Sequence, residues 1–139
     1  MSRVFWDTML FIYLLEGTEP FSARTRELLV RSGRRGDQMF TSHLALGEVL
    51  AGGSSGQPGE QIVRDTLGEL GFKYLPFDAG AVGTFAFLRS SSKLKIADSI
   101  HLACAASAGI DLFLTGDKQL AKLDVPGIQF IAEFNNPVL

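Results

Sequence analysis

Short apolar segments of strand length alternate with helical segments along this chain. This alternation predicts a parallel sheet covered by helices on both faces, because each helix returns the chain across the sheet before the next strand begins. The predicted strands are residues 4–6, 38–41, 73–77, 112–115 and 128–131. The predicted helices are residues 8–15, 21–35, a segment capped by Ser42 that contains Glu48, 60–70, a segment from Asp78 to about residue 90, 96–108 and 118–123, with a flexible loop at 52–59.

Four acidic residues lie where short apolar segments end or within apolar helical segments. Asp7 follows the first strand, Asp117 follows the fourth, and Glu48 and Asp98 lie in apolar helices. Asp7 and Asp117 fit the ordinary role of helix caps, but an isolated buried carboxylate is costly. Ligands of open α/β sheets bind beyond the carboxyl ends of the strands. We therefore expect the four side chains to converge on one pocket.

Clustered carboxylates repel one another and need a cation to balance them. Hard divalent ions such as Mg²⁺ or Mn²⁺ take oxygen ligands, and they can activate the water and stabilise the leaving oxygen in phosphodiester hydrolysis. This pattern predicts a metal-dependent enzyme that acts on a phosphate ester. The predicted metal ligands, direct or through water, are Asp7, Glu48, Asp98 and Asp117. The residue types leave open RNA or DNA as substrate and one or two metal ions.

The four acids stand in motifs that resemble those of the PIN-domain ribonucleases, and among these the VapC toxins of toxin–antitoxin pairs. The matching segments are FWDT at 5–8, Glu48, IADSIHLA at 96–103 and LTGD at 114–117. The resemblance implies that residues 1–139 form one three-layer α/β/α PIN-like domain with a central parallel sheet. It also implies an Mg²⁺- or Mn²⁺-dependent endoribonuclease that leaves a 5′-phosphate on one product.

Threonines and lysines beside these motifs are candidates for catalysis and substrate binding. Thr8 and Thr115 lie next to two of the acids, so their hydroxyls can orient a carboxylate, a water or a phosphate oxygen. Lys93, Lys95 and Lys118 flank the acidic motifs and are expected to bind phosphates. The arginines of residues 21–35 fit a solvated helix face. Free N–H groups at the helix starts after two of the acids are expected to face an anion.

Two further residues concern the details of this site. His101 follows Asp98 by three positions and therefore lies on a neighbouring helix surface. We expect a structural histidine there in preference to a contact with the site. Many relatives carry another acid two residues after the position of Asp117, whereas this chain has Gln119, so a fifth carboxylate cannot contribute.

The resemblance implies a VapB-like antitoxin as partner, and a homodimer. Phe11, Leu15 and Phe21 belong to an apolar set larger than one helix face needs. They are expected to form a groove for the antitoxin, with a basic antitoxin side chain reaching the acids. The alternative is that they simply pack the core.

Bulk composition fits a globular protein of a reducing compartment. The chain is 46% hydrophobic, which argues against disorder, and its single Cys104 excludes an internal disulfide and a cysteine-based zinc site. The apolar run near the N-terminus is interrupted by Asp7 and is shorter than the about 20 residues that span a bilayer. We expect a cytoplasmic protein without a membrane partner. The net charge of −2 does not by itself favour nucleic acid, but the predicted ligands supply much of the negative charge.

Three other kinds of protein share parts of this pattern. A haloacid-dehalogenase-type phosphatase expects a second Asp two residues after the first, and Met9 stands at that position, so this class is rejected. A housekeeping PIN nuclease without an antitoxin remains open. A catalytically silent RNA- or protein-binding module also remains open, although such a module gains little from clustered charge.

Overall fold

A parallel sheet forms the centre of the molecule, as predicted. The computed structural model describes residues 1–52 and 59–139, and within them five strands form this sheet. The strands are β1 (Arg3–Trp6), β2 (Gln38–Ser42), β3 (Phe72–Leu75), β4 (Leu112–Thr115) and β5 (Phe130–Glu133). Their order is β3-β2-β1-β4-β5, and all neighbours run parallel. The strand order changes direction between β1 and β4, which places a switch point at the centre of the sheet.

Helices cover both faces of the sheet. They are α1 (Thr8–Glu16), α2 (Phe21–Arg35), α3 (His43–Ala51), α4 (Glu60–Glu69), α5 (Ala79–Ser91) and α6 (Ile96–Ser107). Side chains of Asp7, Ser42 and Asp78 cap α1, α3 and α5 by accepting a backbone N–H, which satisfies a donor that the first helical turn leaves free. These caps explain why the predicted helix starts agree with the structure.

The alternation of side chains along β1 builds two cores. Val4 and Trp6 face one side, where they pack with apolar residues of α1, α2, α3 and α4. Phe5 faces the other side, where it packs with Leu88 of α5, with Leu102 of α6 and with the segment that leads to β5. The three-layer α/β/α class is therefore confirmed.

The prediction was wrong in two places near the C-terminus. The predicted helix at 118–123 is only a single 3₁₀ turn, Leu120–Lys122. Leu120 and Val125 pack into the same core, and a continued helix would turn these two residues to opposite sides. β5 begins two residues later than predicted, because Gly127 (φ 98°) lies in a turn closed by the Ile128 N–H and the Val125 carbonyl.

Three remaining sequence observations can be placed. The predicted loop at 52–59 lies, between 53 and 58, outside the described residues. Within the described ranges, no helix combines the length and apolar character that a membrane span requires. Cys104 is buried, and burial raises the pKa of its thiol to about 11, so it is not a ready nucleophile.

Candidate active site

All four predicted acids line one open pocket of about 680 Å³. The pocket lies where β1 and β4 end, at the switch point of the sheet. Asp7 follows β1, Asp117 lies two residues beyond β4, and α3 and α6 supply Glu48 and Asp98. The backbone N–H of Asp7 donates to the carbonyl of Leu114 (2.9 Å), which ties the ends of the two strands together. Acids from separate chain segments are thereby brought to one place.

Asp7 is the most buried of these acids, with 8% of its surface exposed. Its Oδ1 accepts the backbone N–H of Thr8 (2.8 Å), and its Oδ2 accepts the hydroxyl of Thr115 (2.9 Å). Burial raises the pKa of the Asp7 carboxyl, although His101 and the two hydrogen bonds act in the opposite direction. Asp7 caps α1 and also lines the pocket, so its role as a helix cap is compatible with a role as a metal ligand.

Glu48 is held by two donors on a single oxygen. Its Oε1 accepts the hydroxyl of Thr8 (2.7 Å) and lies 2.6 Å from Nε2 of His101. We call the part of the pocket formed by Asp7 and Glu48 the anchored side, because donors from several elements fix both carboxylates.

The opposite part of the pocket, formed by Asp98 and Asp117, is the open side. Asp98 is partly buried, and no hydrogen bond from the described residues reaches its carboxylate. Burial raises its pKa, and the negative charges of Asp7 and Asp117 raise it further. Asp117 is exposed, and from the described part of the chain its carboxylate accepts one hydrogen bond, from the backbone N–H of Gln119 (2.7 Å). Few hydrogen-bond donors therefore fix the carboxylates of the open side, which face solvent and the negative charges of the other acids.

Thr115 connects the two sides. Its hydroxyl donates to Asp7 and accepts the backbone N–H of Asp117 (3.1 Å). The expectation of free helix N–H groups after Asp117 is wrong. The segment that follows contains a 3₁₀ turn in place of an α-helix, and the N–H of Gln119 already donates to the Asp117 side chain.

The donor set suits a hard divalent ion in chemistry. Four carboxylates face the pocket, and the pKa of Asp98 is raised first by burial and then by the negative charges of Asp7 and Asp117. As the side chains stand in residues 1–52 and 59–139, no group of three His, Cys, Asp or Glu residues is arranged to hold a metal ion. Side chains must therefore move before three of them can bind one ion. Asp98 and Asp117 on the open side have the fewest hydrogen bonds to break.

The predicted lysines divide into two classes. Lys95 and Lys118 line the pocket, as does Thr8. Lys93 is exposed on the connector before α6 and is not part of the pocket wall. Two arginines of α2 are engaged elsewhere. Arg24 donates to the carbonyls of Phe134 and Asn136 (2.9 and 2.7 Å), and Arg31 contacts Glu27 and the carbonyl of Leu139.

Two expectations about other residues need correction. Phe11 is completely buried in the core, so it cannot line a groove for a partner, whereas Leu15 and Phe21 keep part of their surface. His101 is structural, as expected, but it also contacts Glu48 and lines the pocket. The only sequence signal for that contact was the three-residue spacing from Asp98 on α6.

Comparison with known proteins agrees with this fold. The family model described as "PIN domain" matches residues 4–126. A chain of VapBC2 from Rickettsia felis bound to promoter DNA has a TM-score of 0.69 and 14% identity, with coverage of 94% of this chain and 97% of that chain. A chain of a Klebsiella pneumoniae toxin–antitoxin complex has a TM-score of 0.66 and 23% identity, covering 91% and 95%. A chain of DNA-bound VapBC from Salmonella typhimurium has a TM-score of 0.66 and 19% identity, covering 96% and 99%.

Curated proteins compared by sequence gave no match. The family model nevertheless covers most of the chain, and its span includes all four acids that line the pocket. This chain belongs to the PIN-domain family.

Proposed function

We propose that this chain is a metal-dependent endoribonuclease and the toxin of a VapBC-type toxin–antitoxin pair. The observation that carries the proposal is the convergence of Asp7, Glu48, Asp98 and Asp117 on one pocket at the switch point of a PIN fold. Acids from four separate motifs have no common structural task in the core. Oxygen ligands for Mg²⁺ or Mn²⁺ are the chemical role that they share.

The proposed roles follow from how each side chain is held. A bound divalent ion would supply an activated water and charge stabilisation for the leaving oxygen. Asp7 and Glu48 would hold such an ion from the anchored side, while Asp98 and Asp117 would complete the ligand set from the open side. Thr115 keeps the carboxylate of Asp7 oriented through its hydroxyl.

The substrate we propose is RNA, bound through its phosphates. Lys95 and Lys118 stand on the wall of an acidic pocket, where they can hold a phosphodiester that the carboxylates alone would repel. Thr8 lines the same wall but donates its hydroxyl to Glu48, so a substrate contact of Thr8 would use its oxygen lone pairs or displace that bond. Lys93 remains a candidate for an outer phosphate.

The partner we propose is a VapB-like antitoxin that covers the pocket along α1. Met9 is 41% exposed and lines the pocket together with Ile12, so an apolar surface lies beside the acids. Leu15 and Phe21 extend the partly exposed apolar residues of this region. An arginine of the antitoxin would pair with the carboxylates and occupy the oxygens that a metal ion needs.

We further propose one cytoplasmic domain, residues 1–139, that forms a homodimer. α5 exposes more than half of Val82 and Phe87, and α6 exposes more than half of Ile96. Large apolar side chains exposed in this way favour burial against a second copy.

Expression in a bacterial host tests the toxin assignment. Induction of the chain alone should arrest growth, induction of Asp98→Asn should not, and co-expression of a neighbouring small gene should relieve the arrest. An active ribonuclease that leaves growth unchanged would favour the housekeeping nuclease. A folded protein that binds RNA but never cleaves it would favour the silent binding module.

A further inference from the structure

His101 lies behind the pocket with both of its ring nitrogens engaged. Only 2% of its surface is exposed. Nδ1 lies 2.8 Å from Oγ of Ser42, and Nε2 lies 2.6 Å from Oε1 of Glu48. The ring therefore joins three elements: α6, which carries it, the end of β2, and α3.

The carboxylate partner fixes the direction of the hydrogen bond at Nε2. A carboxylate can only accept, so Nε2 carries the proton and donates to Glu48. Oγ of Ser42 already accepts the backbone N–H of Ala45 (2.9 Å), and its own proton can be donated to Nδ1. His101 is thus a donor to Glu48, and the hydroxyl that caps α3 holds the other nitrogen of the ring.

Thr8 aims a second donor at the same oxygen. Its hydroxyl donates to Oε1 of Glu48 at 2.7 Å, which explains why Oγ1 of Thr8 and Nε2 of His101 lie 3.4 Å apart. With Oε1 saturated from two directions, Oε2 is the oxygen of Glu48 to which no hydrogen bond comes from residues 1–52 or 59–139.

We propose that His101 is a positioning residue that orients Glu48 so that Oε2 is presented to the metal ion. The inference rests on the proposed metal-dependent function and assigns no metal contact to His101 itself. A glutamate on a solvated helix face loses rotamer freedom when it binds an ion, whereas a glutamate already held by two donors has less to lose. Donors that orient a ligand from behind characteristically affect metal affinity.

The position of the ring relative to Asp7 supports the same role. Nε2 lies 4.0 Å from Oδ1 of Asp7 and 2.6 Å from Oε1 of Glu48, so the same ring nitrogen is near both carboxylates of the anchored side. A donor at this place offsets part of their repulsion before any ion arrives. Asp7 and Glu48 can thus stay close in the folded chain.

A matched pair of substitutions separates positioning from packing. The side-chain nitrogen of glutamine can take the place of Nε2, and the side-chain oxygen of asparagine can take the place of Nδ1 as the acceptor of the Ser42 hydroxyl. His101→Gln therefore keeps a donor to Glu48 and loses the Ser42 contact, while His101→Asn does the reverse. Each variant loses one buried hydrogen bond, so thermal unfolding reports whether their stabilities match.

Mn²⁺ affinity of the full chain without RNA, measured by electron paramagnetic resonance, is the readout. His101→Gln should bind Mn²⁺ nearly as well as the wild type, and His101→Asn should bind about 10- to 100-fold more weakly. In a Glu48→Gln background, the difference between the two His101 variants should vanish. Equal affinities of His101→Gln and His101→Asn would overturn the positioning role, whereas absence of Mn²⁺ binding by the wild type would overturn the metal site itself.

Nitrogen-15 NMR of histidine in the wild type gives a second test that needs no variant to fold. The ring of His101 should carry a proton on Nε2, the nitrogen that faces Glu48. A ring protonated on Nδ1 alone would contradict the donor assignment and with it the inference.

Discussion

The anchored side and the open side of the pocket are built on different principles. Asp7 and Glu48 accept hydrogen bonds from backbone and side-chain donors of several elements. Asp98 receives none from the described residues, and Asp117 receives one from its near neighbour Gln119. Donors allow two carboxylates to stay close, whereas carboxylates without donors remain under mutual repulsion. The comparison indicates that the carboxylates of the anchored side are already oriented for the proposed ion, whereas those of the open side must move to bind it.

The largest effect is expected from removing one charge on either side. Asp7→Asn and Asp98→Asn should each lower RNA cleavage by about 100-fold or more, the scale of losing one preorganised electrostatic group. Each change removes a proposed ligand charge with little change in volume. The loss is measured as the single-turnover rate of cleavage of a labelled RNA, and circular dichroism confirms that each variant is folded. Near-normal cleavage by Asp98→Asn would remove the open side from the account.

A smaller effect is expected from the lysines on the pocket wall. Lys95→Ala and Lys118→Ala should weaken RNA binding similarly for different sequences. Each should also reduce the slope of log affinity against log salt by about 0.7, the value for one lost phosphate contact on a single strand. Binding to the cleavage-deficient Asp98→Asn protein across a salt series measures this slope.

Lys93→Ala is the matched control for Lys95→Ala. Both lysines are exposed and lie two residues apart, but only Lys95 lines the pocket. A larger effect of Lys93→Ala would place the path of RNA outside the pocket. Arg26 of α2 forms an ion pair with Glu19 and a hydrogen bond with Ser22. Arg26→Ala should leave RNA binding unchanged.

Thermal stability without metal should distinguish the two sides, although both substitutions lower activity. Asp98→Asn should raise the melting temperature, because it removes a repelled carboxylate that makes no hydrogen bond to the described residues. Asp7→Asn should give no such gain, because asparagine has one acceptor oxygen for the two donors that Asp7 now satisfies. Differential scanning calorimetry in EDTA makes the comparison. Equal gains for both variants would show that the anchoring bonds contribute little.

The pH dependence of this gain gives the smallest and most specific signal. The folded pKa of Asp98 is raised above its ordinary value of 3.8, so its protonated form is favoured by folding and stability is lost as pH rises through the folded pKa. The advantage of Asp98→Asn should therefore be greatest at neutral pH and should disappear below about pH 4. An advantage that persists at acid pH would point to a packing effect instead of charge.

The acids of the pocket could be predicted from sequence because strand ends and helix faces are local patterns. Asp7 and Asp117 follow apolar strands, and a parallel sheet brings such ends to one edge. The hydrogen bonds of the anchored side could not be predicted in the same way. His101 and Glu48 are 53 residues apart in sequence, and only the packing of α6 on α3 makes them neighbours.

The errors have the same origin in tertiary packing. The apolar run on α1 did not show which residues are covered, and Phe11 is buried because Trp6 and Phe72 pack around it. The arginines of α2 were expected on a solvated helix face, yet Arg24 donates to carbonyls of the C-terminal segment. The sequence of a helix alone does not show which of its side chains a distant segment covers.

Metal dependence of RNA cleavage tests the central claim most directly. Protein stripped of metal with EDTA should not cleave a labelled RNA, and addition of Mg²⁺ or Mn²⁺ should restore cleavage in the wild type but not in Asp7→Asn purified in the same way. Cleavage by the wild type in excess EDTA, absent from the Asp7→Asn preparation, would contradict a metal site formed by these four acids.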